Sequence, residues 1–249
     1  MATIKVADKP TLDRVAEGVA ELQERRPFDL DAFMYWFGGL ASHTPGDDVE
    51  NWMQGTMAAV NVPTATKFRD YALYNCKQLM SVSAPLASEV GSYAFSGCSN
   101  LTTVNLPSVQ TVNDYGFASC SILRSISLPE VRTIYSFAFR GCGALEAVNL
   151  PKLETMGQAA FYQLQRLKRV ELPSIRSIAL SNLHYVETVV LPGENVPSLS
   201  GSSFNDSSKI YVPRALLDSY QTATNWASLY NRGQILAIED HPEIMGGDA

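Results

Sequence analysis

The chain has 249 residues, 46% of them apolar and 18% charged, with a net charge of −6, which supports a folded core and excludes a largely disordered chain. No apolar run reaches the ~18 residues of a membrane-spanning helix, so no membrane insertion is expected. Residues 1–60 carry five Lys/Arg against ten Asp/Glu, and 61–213 carry twelve against ten, so the basic face that a nucleic-acid partner needs is missing.

The first segment, 1–26, opens without the apolar stretch of an export leader, so no leader is expected. From Pro10 to Arg26 the pattern predicts a helix. Leu12, Val15, Val19 and Leu22 follow three-four-three spacing, the seam of two heptads. Gly18 weakens the helix, and a lone helix of this length is marginal in water. It therefore needs a partner. Self-association or docking on a neighbouring protein through those four residues is favoured over packing on the rest of the chain. The opening stretch MATIKVADKPTLD, Met1 to Asp13, is similar to the starts of some phage tail and minor virion proteins. That resemblance implies attachment to a particle.

Residues 27–59 are densely apolar, with Phe33, Met34, Tyr35, Trp36 and Phe37 in one run and Leu40, Val49, Trp52, Met53 and Met57 beyond it. Two short helices are expected, over 31–41 and 47–59, separated by a turn at Thr44, Pro45 and Gly46. Their expected job is to cap the core that follows. The alternative is an exposed docking patch.

From residue 60 a ladder begins. Proline stands at Pro63, Pro85, Pro107, Pro129, Pro151 and Pro173, always 22 residues apart, and cysteine at Cys76, Cys98, Cys120 and Cys142. A fixed period of this size signals a solenoid, because one unit is too short to bury its own apolar face and neighbours must stack. Counting from proline, apolar residues recur at plus five (Phe68, Val90, Val112, Ile134, Met156, Ile178) and plus ten (Leu73, Phe95, Phe117, Phe139, Phe161). An aromatic stands at plus eight in four coils: Tyr71, Tyr93, Tyr115 and Phe137. Leucine holds plus sixteen, from Leu79 to Leu167. The stretch before each proline, such as Thr103, Val104, Asn105 and Leu106, alternates polar and apolar and reads as a short half-buried strand. Proline cannot donate to a ladder, so it should end that strand.

The text LTTVNLPSVQTVNDYGFASCSILRSISLPEVRTIYSFAFRGCGAL, Leu101 to Leu145, resembles the BspA-like class of leucine-rich repeats almost position by position. The resemblance covers about Val60 to Ile238. It implies an α/β repeat fold: a right-handed leucine-rich-repeat solenoid with a short-stranded parallel sheet on one face. A helical N-terminal segment and a small helix-strand C-terminal cap complete it. A scaffold fold does not by itself name a function.

After Pro173 the ladder decays. Leu164 already stands in the cysteine slot, the next coil spans 19 residues and the one after spans 21. Atypical terminal repeats are expected where a stack must be sealed. In the cap, 214–249, the pattern predicts a helix over 214–223 with Leu216, Leu217 and Tyr220 on one side. A second helix is expected over 226–230, a strand over 235–238, and frayed residues from His241 onward.

No catalytic or metal constellation emerges. His43, His184 and His241 have no nucleophile at a motif spacing, the cysteines form no C-x-x-C pair, and no cofactor is expected. Neighbouring cysteines of stacked strands, about 4.8 Å apart, could in principle bridge. The acceptance of Leu164 in their slot favours buried free thiols instead. The basic group Arg166, Lys168, Arg169 and Arg176 reads as a ridge of a mixed surface. The candidate binding face is the outward side of the strands, with Thr103, Asn105, Ser125, Ser127, Asn149, Arg169 and Glu171, suited to hydrogen-bonding a host-surface glycan or protein. Solvent-facing filler is the competing reading.

The function expected is a non-enzymatic phage or prophage virion structural protein of tail or fibre type, assembled in the bacterial cytoplasm. The N-terminal helix would hold it to other virion proteins or to itself. The alternatives are a bacterial cell-surface adhesin of the same repeat class, or an intracellular protein-binding scaffold.

Overall fold

A computed structural model describes residues 58–245. The seam Leu12, Val15, Val19 and Leu22, the helices expected over 10–26 and 31–41, and nearly all of the one expected over 47–59 lie outside the described residues. Ala59, placed at the end of that last helix, instead opens the first strand. Its triplet Ala59-Val60-Asn61 has the alternation of Ala147-Val148-Asn149 four coils later.

Two columns of parallel strands stack along the solenoid. The first holds β1 (Ala59–Asn61), β3 (Ser81–Ser83), β5 (Thr103–Asn105), β7 (Ser125–Ser127), β9 (Ala147–Asn149), β11 (Arg169–Glu171), β13 (Thr188–Val190) and β15 (Lys209–Val212). The second holds β2 (Lys67–Phe68), β4 (Glu89–Val90), β6 (Thr111–Val112), β8 (Thr133–Ile134), β10 (Thr155–Met156), β12 (Ser177–Ile178) and β14 (Ser198–Leu199). A sheet on one face was the expectation, and the second column forms its own seven-stranded parallel sheet. Its strands are two residues long, too short to show an alternation in sequence. Their plus-five residues, Phe68 to Ile178, are the inward ones and are buried.

Within each coil the stretch between second and next first strand is a run of turns, and among the described residues helices occur only in the C-terminal cap. The reason lies in the backbone pairing. The amides of Tyr93, Phe95 and Gly97 donate to the carbonyls of Asp114, Gly116 and Ala118 in the next coil, leaving only the alternate amides for local bonds. That zigzag requires a left-handed backbone at plus eight and plus twelve. Tyr71, Tyr93, Tyr115 and Phe137 accept it at φ 57–60°, and Gly97 and Gly141 supply the residue that tolerates it best.

The core is one continuous cluster from Val60 to Ile235. Phe95, Phe117, Phe139 and Phe161 stack with centroids 5.0, 5.3 and 5.4 Å apart. The four cysteines are buried and none is disulfide-bonded. Their slot has a polar use: the thiols of Cys98, Cys120 and Cys142 donate to the carbonyls of Leu73, Phe95 and Phe117 in the preceding coil. Burial pushes the Cys98 and Cys120 thiols well above the ordinary range, which keeps them neutral.

The shortened coil is repaired by a side chain. Asn182 is buried; its Oδ1 accepts from the amide of Phe161, and its Nδ2 donates to the carbonyls of Gly157 and Ala179. Beyond it, a turn at Arg214–Leu216, α1 (Leu217–Thr222), α2 (Ala227–Asn231) and β16 (Ile235–Ala237) close the stack. Trp226 fills the end of the core and donates through Nε1 to the carbonyl of Pro197 at 2.7 Å, with Tyr220 edge-on against it. No helix among the described residues is long and apolar enough to cross a membrane.

Candidate binding face

The outward residues of the first strand column fall in two rows. One runs Ala59, Ser81, Thr103, Ser125, Ala147, Arg169, and the other Asn61, Ser83, Asn105, Ser127, Asn149, Glu171; the pairings β1–β3–β5, β7–β9 and β11–β13 are in register. All seven residues named from the sequence therefore project from one side, and all are exposed except Arg169, which is half-buried. They do not form one uniform surface. From β1 to β9 the outward positions are short, polar or small, and uncharged. Arg169 and Glu171 begin a different region and pair with each other at 3.4 Å.

The second row carries a pattern hidden by the 22-residue period. Asn61, Asn105 and Asn149 alternate with Ser83 and Ser127, so the true unit is two coils. Asn105 Nδ2 donates to Ser83 Oγ and Asn149 Nδ2 to Ser127 Oγ, both at 3.0 Å. The same two-coil rhythm returns on the turns, where Asp70 and Asp114 accept from the amides of Ser92 and Ser136 at 2.7 and 2.8 Å. The sequence signal was the alternation of V-N-x-P with S-x-S-x-P, which a list of shared positions averages away.

Past β9 the face changes and is covered. In register with Glu171 come Val190 and then Tyr211, both buried although their positions point outward. The tail after β16 folds back onto Tyr211 and Arg169. The ring of His241 lies edge-on to Tyr211 at 5.2 Å, and the carbonyl of Ile244 accepts from Arg169 Nη2 at 2.6 Å. Residues 241–245, expected to fray, are thus docked through Tyr211 and Arg169; a one-dimensional reading has no sign of that contact.

The basic group is neutralised locally. Arg166 pairs with Glu146, Lys168 with Glu187 and Arg176 with Glu154. Arg132 and Arg176 bracket Glu154 at the mouth of a groove of about 530 Å3 beside the shortened coil, also lined by Gly193, Glu194 and Asn195. On the turns, Tyr71, Tyr93, Tyr115 and Phe137 stack 4.6–5.0 Å apart. Burial and the neighbouring tyrosines raise the Tyr93 phenol above its usual range. Face-to-face stacking leaves mostly ring edges for a ligand. Among the described residues no group of three or more His, Cys, Asp or Glu could hold a metal ion.

Residues 88–211 match the family model described as BspA type leucine rich repeat region, in six copies. The chain is similar in fold to a leucine rich repeat protein of T. pallidum, with 24% identity, 67% of this chain and 83% of that one covered, and a TM-score of 0.52. A leucine rich cell surface protein from Faecalibacterium prausnitzii gives 19% identity over 63% of this chain and 60% of that one, with a TM-score of 0.42. A leucine-rich repeat protein from Bacteroides ovatus gives 19% over 62% and 63%, with a TM-score of 0.35. No curated protein sequence matches significantly.

Proposed function

Since the repeat region of this chain belongs to the BspA-type leucine-rich repeat family, we propose that the protein is a non-enzymatic binding scaffold. It presents the strand face β1 to β9 to a glycan or protein at a host cell surface. One observation carries this reading. The chain covers the apolar end of the face with its own tail and leaves the uncharged polar end open. The test is an array of host-surface glycans and proteins probed with the full chain and with the double variant Asn105→Ala/Asn149→Ala. A partner retained equally by both proteins would put the binding site elsewhere.

The finer reading is that the scaffold is carried on a virion, as a tail or fibre component held by residues 1–26. Its support is the resemblance of the first thirteen residues to virion proteins and the seam Leu12, Val15, Val19 and Leu22. A bacterial cell-surface protein is the second reading, favoured by the repeat family itself. Gene neighbours separate them: capsid, portal or tail genes beside this one support the virion, and a locus among surface proteins sinks it. Sedimentation of the full chain against a version lacking 1–26 tests the seam. Two monomers would rule out self-association and leave docking on another protein.

A further inference from the structure

We propose that the open strand face binds an uncharged, proline-rich polypeptide in the polyproline II conformation, lying along the solenoid axis with one turn per two coils. This rests on the reading of that face as the binding surface.

The face carries an array of unspent donors. In each Ser–Asn pair the amide spends one hydrogen on the serine oxygen. The second Nδ2 hydrogen and the serine hydroxyl hydrogen remain for an outside acceptor. A polyproline II chain has no internal hydrogen bonds, so its carbonyls are unpaired acceptors along its whole length. A row of unspent donors suits such a chain.

The spacing of these pairs also fits such a chain. Equivalent pairs recur every two coils, about 9.6 Å along the axis from a strand separation of ~4.8 Å. One polyproline II turn, three residues at ~3.1 Å each, advances about 9.3 Å. An α-helix repeats at about 5.4 Å and a β-strand every ~6.7 Å, so neither keeps step. The same side of a polyproline II helix therefore returns to each Ser–Asn pair.

Charge agrees. The outward positions of β1, β3, β5, β7 and β9 hold no ionisable side chain, although the whole chain carries −6. An acidic or basic peptide would find no counter-charge there.

Last, the protein already binds a chain segment on this sheet. From His241 to Ile244 the tail passes from β15 to β11, along the axis, and a face side chain, Arg169, donates to a backbone carbonyl. The tail does this as a short turn, Pro242–Ile244. Ile244 lies at β11, adjoining the open part of the same face, so a bound peptide would continue an interface the fold has begun.

The test is a nuclear magnetic resonance titration of the isotope-labelled full chain with a synthetic Pro-Pro-Ser repeat peptide long enough to span β1 to β9. A peptide with glycine in place of proline serves as control. The expected result is a shift of the Asn105 and Asn149 side-chain amide signals with the proline peptide. Binding should weaken about tenfold in the Asn105→Ala/Asn149→Ala variant and stay unchanged in Gln165→Ala, exposed on the turns. No shift of those signals, or equal binding of the glycine peptide, overturns the inference. A chito-oligosaccharide forms the third arm. If it alone moves the two amide signals, the occupant proposed here is wrong and the face remains a binding surface. A host partner indifferent to the double variant would remove the face reading itself.

Discussion

The first strand column is one set of stacked strands with two different surfaces. From β1 to β9 its outward residues are Ser, Thr, Asn and Ala, exposed except for the half-buried Ser81 and Ser83, with hydrogen-bonding groups to spare. From β11 onward they include Arg169, Glu171, Val190 and Tyr211, and the chain's own tail contacts Arg169 and Tyr211. The inward residues are alike in both regions, Val82 and Ile126 in one and Val170 and Val189 in the other, all buried. The difference teaches that the repeat fixes the core and leaves the outer row free to serve either closure or recognition.

That contrast can be broken at its closed end first. Trp226→Ala should remove about 3–5 kcal/mol of stability, read by chemical denaturation, because the indole fills the end of the core and loses its bond to Pro197. Asn182→Leu should cost about 2–3 kcal/mol, since it strands the Phe161 amide and two carbonyls where the shortened coil meets the one before it. Deleting 241–249 removes the cover of Tyr211 and should cost about 1–2 kcal/mol, with a rise in binding of an apolar dye. A truncated protein that binds no more dye than the full chain would show that the tail does not shield this end. Smallest is the open end: Asn105→Ala/Asn149→Ala should change stability by no more than ~0.5 kcal/mol while weakening partner binding. If the pair instead destabilises the fold as Asn182→Leu does, the Ser–Asn row is structural and the contrast dissolves.

The solenoid was legible because stacking is periodic: proline, aromatic and cysteine columns name the architecture before any contact is seen. Other features were not. The cysteine slot looked like plain filler, and only the structure shows the thiols of Cys98, Cys120 and Cys142 answering a carbonyl one coil back. The second sheet hid in two-residue strands. Of the candidate face, the exposure of Thr103, Asn105, Ser125, Ser127 and Asn149 followed from alternation. Glu171 is likewise exposed, and only Arg169 meets the tail, a contact that alternation cannot reveal.

The sequence by itself determined the coil length, the buried columns and the place where the stack is sealed, since each depends on residues a fixed distance apart and on burial alone. Only the tertiary structure decided which part of the strand face stays open. The tail reaches Arg169 from 75 residues away, and a contact at that separation leaves no period to read.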